Sequence, residues 1–284
     1  MTMRRREALK GILFILPFLA GFVVFYLWPF LTGMKQTFLF SGKFVGLQHY
    51  REVWSSEAFR LVLGNTLRFI AVGAPLGMVV SLALALGLQR KFTGSSFLRS
   101  VFLLPQVLPI ASIVMVCQVF LDEHGVFNGL LLAMGLPLVQ WLTSDAAFFV
   151  LILLYIWKNC GYGMILFLAG LNAIPDVLGQ AARLDGANHR QVFVHISLPL
   201  LMPSIFLTAV FSIMNAFRCF REAYLLCGER PHRSIYMLQH FMNNNFQNLN
   251  YPRLFIAATF TFCIIFFLVL ALFRVRRKAG DLEL

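Results

Sequence analysis

Residues Phe148–Leu171 read FFVLILLYIWKNCGYGMILFLAGL, an apolar stretch in which Lys158 is the only charged side chain. A transmembrane helix needs about 20 predominantly apolar residues, and this run exceeds that length. The chain has 284 residues, of which 59% are hydrophobic and 13% charged, and its mean hydropathy is +0.77. Because soluble domains carry about 25% charged residues, the composition predicts a polytopic membrane protein.

The same length criterion, applied outward along the chain, predicts six membrane-spanning helices and an all-α fold. The predicted spans are Gly11–Leu31, Leu61–Leu88, Val101–Leu121, Phe148–Leu171, Pro203–Leu226 and Leu254–Phe273. Several contain proline, which membrane helices tolerate when neighbouring groups satisfy the freed carbonyls. The first run is too long for the apolar core of a signal peptide, so an uncleaved span is expected. No polar block is long enough to bury a core of its own, so residues 1–284 are expected to form a single membrane domain.

Basic residues are distributed unevenly between the two sides that six spans define. The side with both termini holds thirteen, namely Arg4, Arg5, Arg6, Lys10, Arg90, Lys91, Arg99, Arg183, Arg190, Arg274, Arg276, Arg277 and Lys278. The opposite side holds seven, namely Lys35, Lys43, Arg51, Arg60, Arg230, Arg233 and Arg253. Basic residues concentrate in cytoplasmic loops, so both termini are expected to face the cytoplasm. The net charge of +12 comes from these clusters beside apolar runs, so no nucleic-acid binding is predicted.

A polar insert of residues 172–199 separates the fourth and fifth predicted spans. Pro175 is expected to end the fourth helix, and Asp176 suits the start of a new one. Gly186 permits a tight turn, after which a second short helix is expected to end at Leu198–Pro199. The pattern predicts two short amphipathic helices joined by a bend on the cytoplasmic side. They would rest either on lipid headgroups or in the groove of a partner protein, and the small residues and balanced charge favour a protein partner.

The insert also carries a recognisable motif, GQAARLDGANHRQVFVHISLPLLMP, from Gly179 to Pro203. This motif resembles the EAA loop of permease subunits in binding-protein-dependent ABC importers, although Gln180 stands where the family has Glu. Flanking runs such as FILPFLAGFVVFYLWPF (14–30) and FLRSVFLLPQVLP (97–109) resemble the carbohydrate branch of that family. In the family this loop contacts the ATPase subunit, and the resemblance assigns that role to Gln180, Ala181, Ala182, Asp185, Gly186, Ala187, Phe193, Leu198 and Pro199.

The resemblance implies a set of partners in a bacterial or archaeal plasma membrane. They are a second permease subunit, two ATPase subunits that bind ATP and an extracytoplasmic solute-binding protein, with the lipid bilayer around them. The sequence lacks a GxxxxGK[ST] phosphate-binding loop, HExxH and GxSxG, so no enzymatic activity and no cofactor in this chain are expected. The five cysteines form no C-x-x-C pair, and no metal site is predicted.

Polar residues inside the predicted spans are candidates for a translocation path, because a charge at the bilayer centre costs about 2.5–3.5 kcal/mol. The alternatives are an internal salt bridge or charged ends that reach the interface, and Arg218 and Glu222 are four residues apart on one helix face. The candidates are Lys158, Asn159, Asn215, Arg218 and Glu222.

Two further expectations concern the outer loops and the mode of transport. The asparagine-rich segment His240–Tyr251 is expected to be a solvated loop, and the alternative is contact with the extracytoplasmic binding protein or the substrate gate. The alternative to an ATP-driven importer is an ion- or proton-driven secondary transporter acting alone, which would require buried acids and internal symmetry. Only Glu222 represents such an acid, and no repeat is visible. The solute is expected to be a sugar or oligosaccharide, with glycerol-phosphate left open.

Overall fold

The computed structural model describes residues 2–40, 43–89 and 92–280 and is helical in most of them. A short antiparallel hairpin pairs β1 (Leu39–Phe40) with β2 (Lys43–Phe44). The α-helices are α1 (Thr2–Phe22), α2 (Trp28–Thr37), α3 (Gln48–Ser55), α4 (Glu57–Gln89), α5 (Ser95–Val107), α6 (Ile110–Leu121), α7 (Val126–Ala133), α8 (Ala146–Ala173), α9 (Asp176–Leu184), α10 (His189–Val192), α11 (Leu198–Leu200), α12 (Met202–Arg218), α13 (Phe220–Cys227), α14 (Leu238–Gln247) and α15 (Tyr251–Gly280). The all-α prediction is therefore confirmed.

Among the described residues, six helical segments are long and apolar enough to cross a membrane, as predicted. Arg90 and Lys91, two of the basic residues on which the orientation rests, lie outside the described residues. The segments are Ile12–Thr37, Glu57–Gln89, Ile110–Ala133, Ala146–Ala173, Met202–Cys227 and Tyr251–Arg274.

The third span differs from its prediction. The prediction of one continuous helix over Val101–Leu121 is wrong, because helical backbone is interrupted between α5 and α6. Leu108 is extended with ψ of 141°, and Pro109 is the N-cap of α6. Proline disfavours helical backbone in the residue before it, which explains the break at Leu108. The segment long enough to span begins only at Ile110 and continues through α7.

Two other prolines are accommodated by widened helical turns. The π-helical turns Val23–Leu27 and Phe193–Ser197 each end two residues before a proline, Pro29 and Pro199. A proline ring in a regular helix clashes with the carbonyl four residues earlier, and a π-turn relieves this crowding. The predicted helix end at Leu198–Pro199 is consequently wrong, since helical backbone continues through α11 towards α12.

The expectation of a solvated loop over the asparagine-rich segment is also wrong. The helix α14 includes this segment up to Gln247. Leu238 begins this helix by donating its backbone N–H to the hydroxyl of Thr66 at 2.9 Å. His240 is fully buried and accepts the Met237 N–H at its Nδ1, while the edge of Phe220 faces its ring. Burial lowers the pKa of His240 to about 4, so the ring is neutral near pH 7.

The chain divides into two compact units, residues 1–60 with 241–262 and residues 61–240 with 263–284. In the first unit, Gly33 leaves no room for a Cβ beneath the ring of Phe255. The hydroxyls of Thr37 and Tyr50 share a hydrogen bond of 3.0 Å, which fixes α3 against α2. These contacts anchor the segment after the first span.

The second unit is organised around α8, which packs along both α5 and α12. Three glycines allow this close approach. A Cβ on Gly161 would collide with the backbone carbonyl of Phe102, one on Gly163 with the side chain of Ser81 and one on Gly170 with that of Ser204. Small residues at helix interfaces let membrane helices approach through their backbones. Thus α8 is in direct contact with α5 and with the second and fifth spans.

Gly161→Ala is expected to destabilise the chain, because the obstructing Phe102 atoms belong to rigid backbone. Overpacking of this kind costs about 1–3 kcal/mol. The measurement is thermal unfolding of the purified chain in detergent. Gly87→Ala is the matched control, because nothing lies within 4 Å of the added Cβ and alanine favours helix. Equal melting temperatures for the two variants would contradict the close packing of α8.

Candidate functional site

The first half of the 172–199 insert forms the predicted helix from Asp176 to Leu184, directly after Pro175. None of its residues is buried, and its apolar side chains face outward. Val177 is 69% exposed and Leu184 is 90% exposed. A soluble-looking helix that leaves its largest apolar side chains uncovered has the composition of a docking surface.

Two backbone motifs in succession make the bend of the insert. Ala187 donates its N–H to the Ala182 carbonyl at 2.9 Å and Gly186 donates to Arg183 at 3.0 Å, which is a Schellman motif. Gly186 has φ of +88°, as this motif requires and as the sequence predicted. Asn188 then begins the second helix. This cap was not predicted, although the N-x-x-Q spacing to Gln191 signals it.

Asn188 and Gln191 form a reciprocal capping box. The Asn188 side chain accepts the Gln191 N–H at 2.9 Å, and the Gln191 side chain accepts the Asn188 N–H at 2.8 Å. Arg183 Nη2 lies 3.3 Å from His189 Nδ1, which links the two helices. The bend is therefore held by local hydrogen bonds on both sides and has a defined shape.

The nine loop residues singled out in the sequence lie around this bend in different environments. A cavity of about 270 Å³ is bordered by Gln180 and Phe193, together with Leu86 and Gln89 at the end of α4. A shallower cleft of about 350 Å³ is bordered by Ala182, Asp185, Gly186 and Ala187. Ala181 is exposed, whereas Leu198 and Pro199 are half-buried in the continuing helix.

Between the fourth and fifth spans, the structure brings two of the five intramembrane candidates together. Lys158 Nζ lies 2.5 Å from Glu222 Oε1, and the side chains are 21% and 8% exposed. Arg218, which the i,i+4 spacing allows as a partner of Glu222, does not form this pair. Regular helix ends at Arg218 and resumes at Phe220, and Arg218 itself is exposed. This break interrupts the helix face on which the i,i+4 spacing depends.

The remaining polar residues of this region extend along the same pair of helices. Asn159 donates its side-chain N–H to the Tyr155 carbonyl at 2.8 Å, and the Tyr155 hydroxyl donates to the Ser212 carbonyl on α12 at 2.7 Å. Asn215 is half-buried one turn beyond Ser212. We call Tyr155, Lys158, Ser212 and Glu222 the polar seam. Tyr155 and Ser212 were not among the predicted residues, because neither carries a charge.

One hydrogen-bond acceptor of the polar seam, a carboxylate oxygen of Glu222, is unsatisfied. Within the described part of the chain, Glu222 Oε2 is buried and has no hydrogen-bond partner. A buried acceptor of this kind is costly unless another donor reaches it. Among the same residues no group of His, Cys, Asp and Glu is arranged to hold a metal ion. The seam can therefore accept hydrogen bonds and hold charge.

A further intramembrane charge was missed in the sequence. Arg68 lies within the second span, and its guanidinium stacks over the ring of Phe148 with Cζ 4.5 Å from the centroid. A lone arginine in an apolar run is the signal that could have identified it. The contact is a cation–π interaction between the second and fourth spans.

A chain with six apolar spans, an exposed helical insert and a charged seam between spans is a polytopic helical membrane protein. The family model described as binding-protein-dependent transport system inner membrane component matches residues 73–278. The chain belongs to this family, whose members are membrane components of transport systems rather than enzymes. It is accordingly a multi-pass plasma-membrane protein and the permease subunit of an importer.

Similar proteins are consistent with this membership. The chain is 33% identical to the trehalose/maltose transport system permease protein MalF of Thermococcus litoralis, over 81% of this chain and 80% of that protein. It is 32% identical to the sn-glycerol-3-phosphate transport system permease protein UgpA of Yersinia enterocolitica, over 72% of each. A solved bacterial ABC transporter involved in import of the acidic polysaccharide alginate has the same fold, with a TM-score of 0.83 at 23% identity over 97% of both chains.

Glu222→Gln is expected to destabilise the chain, because it leaves the Lys158 ammonium unpaired between helices. Breaking a buried ion pair on one side costs on the order of 3 kcal/mol, whereas replacing both partners with apolar side chains is often neutral. Thermal unfolding should therefore show a lower melting temperature for Glu222→Gln and recovery in Lys158→Met/Glu222→Leu. Arg221→Gln, at an exposed neighbouring position, is the control. A Glu222→Gln variant as stable as this control would show that the pair does not hold the spans together.

Proposed function

We propose that the 172–199 insert is the element through which separate ATPase subunits drive this permease. The observation that carries the proposal is the rigid helix–bend–helix with Leu184 90% exposed at the end of α9. Exposed apolar side chains on an amphipathic helix suit a hydrophobic groove in a partner. The resemblance of Gly179–Pro203 to the EAA loop supports an ATPase as that partner.

Coupling requires that the insert move with the ATPase and with the spans. An effector shifts a conformational equilibrium only through contacts that differ between the two states, so a loose loop would transmit little. The Schellman motif at Gly186 and the capping box at Asn188 keep the bend from deforming. On the other side, helical backbone continues from the π-turn Phe193–Ser197 towards the fifth span. A displacement of the bend would therefore reach the membrane through a nearly continuous helix.

The proposed docking surface comprises the exposed Leu184 and the loop residues named in the sequence, Gln180, Ala181, Ala182, Asp185, Gly186, Ala187, Phe193, Leu198 and Pro199. Gln180 is exposed and neutral, so contact at this position would depend on shape and hydrogen bonding more than on charge. Arg183 and Asp185 offset each other on the same surface. The surface is thus mainly apolar, with Leu184 as its most prominent side chain.

The orientation follows from the same proposal. An ATPase in the cytoplasm places the insert and both termini on that side, in agreement with the thirteen basic residues assigned to it. The complete importer would contain a second permease subunit, two ATPase subunits and an extracytoplasmic solute-binding protein. Residues 1–284 would act together as one permease domain.

We further propose that the polar residues of the fourth and fifth spans border the solute path, namely Lys158, Asn159, Asn215, Arg218 and Glu222. The unpaired Glu222 Oε2 supports this, because a solute hydroxyl could donate to it. The ion pair also joins the two spans that flank the insert, so their relative movement would change the geometry of the pair. The rival hypothesis of a secondary transporter is not favoured by membership in a binding-protein-dependent family.

Leu184→Ser is expected to reduce solute uptake at least tenfold while leaving the melting temperature unchanged, because Leu184 contributes to docking and not to the core. The readouts are uptake in cells and co-purification of the ATPase subunit. Leu136→Ser replaces an apolar side chain that is 47% exposed in the connection between α7 and α8 and should retain both. Wild-type uptake and ATPase retention in Leu184→Ser would contradict the docking role.

We propose a sugar or oligosaccharide as the solute, in line with the carbohydrate-type flanking motifs and the similarity to a trehalose/maltose permease. The test is to purify the solute-binding protein that serves this permease and to identify the ligand it retains. A mono- or oligosaccharide is the expected result. A phosphate ester as the retained ligand would replace the sugar assignment and leave the importer assignment intact.

A further inference from the structure

The second unit contains an apolar groove of about 500 Å³ between the third and fourth spans. From α6 it is lined by Val116 and Phe120, and from α8 by Val150, Leu153 and Trp157. Trp141, in the connection between α7 and α8, also borders it. Nearly all of its lining residues belong to the segments Ile110–Ala133 and Ala146–Ala173. Both segments are long and apolar enough to cross the hydrocarbon region.

The walls of the groove offer hydrocarbon and almost no hydrogen-bonding capacity. The ring N–H of Trp141 already donates to Asn128 Oδ1 at 3.2 Å. Val116 is 57% exposed and Leu153 is 67% exposed, so the apolar walls are accessible. A polar ligand would lose its hydrogen bonds to water here without replacement, which is unfavourable. The occupant must therefore be apolar along the length of the groove.

The side chains of the groove distinguish a flexible chain from a helix. Membrane helices associate through small residues that let their backbones approach closely. The groove has no Gly, Ala or Ser among its lining residues, whereas the contacts of α8 inside the unit use Gly161, Gly163 and Gly170. Bulky branched and aromatic side chains leave an irregular space between them. An acyl chain adapts to such a space more readily than a rigid helix does.

The end of the groove near the α6–α8 connection is acidic. Residues 122–145 hold Asp122, Glu123 and Asp145 and no Lys or Arg. Asp122 follows the lining residue Leu121 directly, and Asp145 precedes α8. The side chains of Asp122 and Asp145 are 66% and 89% exposed. Such a rim attracts an ammonium group and repels a headgroup with net negative charge.

Two histidines lie beside the carboxylates of this rim. His124 Nδ1 lies 3.9 Å from Asp122 and His232 Nδ1 lies 3.9 Å from Asp145, and neither contact is a close ion pair. The guanidinium of Arg68 stacks on Phe148. Phe148 lies on the same buried face of α8 as Tyr155, seven residues later. Leu153, which lines the groove, lies on a different face of α8, so the Arg68 guanidinium is directed away from the groove.

We propose that this groove binds one acyl chain of a bilayer lipid whose headgroup is net neutral and carries an amine, as in phosphatidylethanolamine. The apolar walls would hold the hydrocarbon, and the carboxylates at the rim would contact the ammonium. The site is distinct from the polar seam and from the insert, and it does not depend on the solute or on the ATPase.

The test uses tryptophan fluorescence of the full chain in nanodiscs of equal phosphatidylethanolamine and phosphatidylglycerol. The chain has four tryptophans, so Trp28→Phe/Trp54→Phe leaves only the two that line the groove. Bromine atoms on the acyl chains of one lipid at a time quench nearby indoles. Brominated phosphatidylethanolamine should quench at least twofold more than brominated phosphatidylglycerol. Equal quenching by the two lipids would overturn the proposal.

Two pairs of variants locate the effect. Val116→Phe/Val150→Phe fills the groove and should abolish the difference between the lipids, whereas Val119→Phe, on an exposed position of α6 outside the groove, should retain it. Glu123→Gln/Asp145→Asn leaves the walls intact and should also remove the difference. Asp176→Asn/Asp185→Asn makes the same charge change at the insert and should not. A difference that persists in the filled or the neutralised rim variant would overturn the proposal.

The second permease subunit is the competing occupant. The same quenching is therefore measured on the chain co-expressed with the permease encoded beside it. The preference for phosphatidylethanolamine should persist in that complex. Loss of all quenching on assembly would assign the groove to a protein interface and overturn the lipid site.

Discussion

The close approach of α8 to its neighbours is the constraint on which the second unit depends. Gly161, Gly163 and Gly170 let backbone and short side chains of three other helices lie where a methyl group would otherwise be. With no water in the hydrocarbon region, packing of this kind provides much of the association between membrane helices. It also determines which face of α8 is left for chemistry. Lys158 and Tyr155 can meet the fifth span because the glycines bring that span within reach.

Much of this architecture is readable from the chain because the bilayer imposes a simple length rule. Six apolar runs predict six spans, and Pro175, Asp176 and Gly186 predict the first helix and the bend of the insert. The outcome at each proline is less predictable. Pro109 follows an extended residue and is the N-cap of a new helix. Pro199 instead follows a π-helical turn, and helical backbone continues past it. The difference depends on backbone bonds that local sequence does not specify.

The contacts of the polar seam are harder to predict from the sequence than the spans are. Glu222 has a basic residue four positions earlier, and spacing alone favours Arg218 as its partner. Its actual partner, Lys158, is 64 positions away, and a helix break after Arg218 removes the local alternative. Likewise, His240–Gln247 is polar enough to resemble a loop, yet burial of His240 and the bond from Leu238 to Thr66 make it helical. In each case a tertiary contact overrides a local pattern.

The bend of the insert has a consequence for how such transporters diversify. Its shape is maintained by main-chain hydrogen bonds around Gly186 and by the exchange between Asn188 and Gln191. The outward side chains, with Leu184 foremost, take no part in those bonds. Surface positions could therefore be replaced one at a time without reshaping the backbone beneath them. With the proposed docking role, such a bend would allow one permease scaffold to change its ATPase partner. It would also let paralogous transporters in one cell avoid exchanging ATPase subunits.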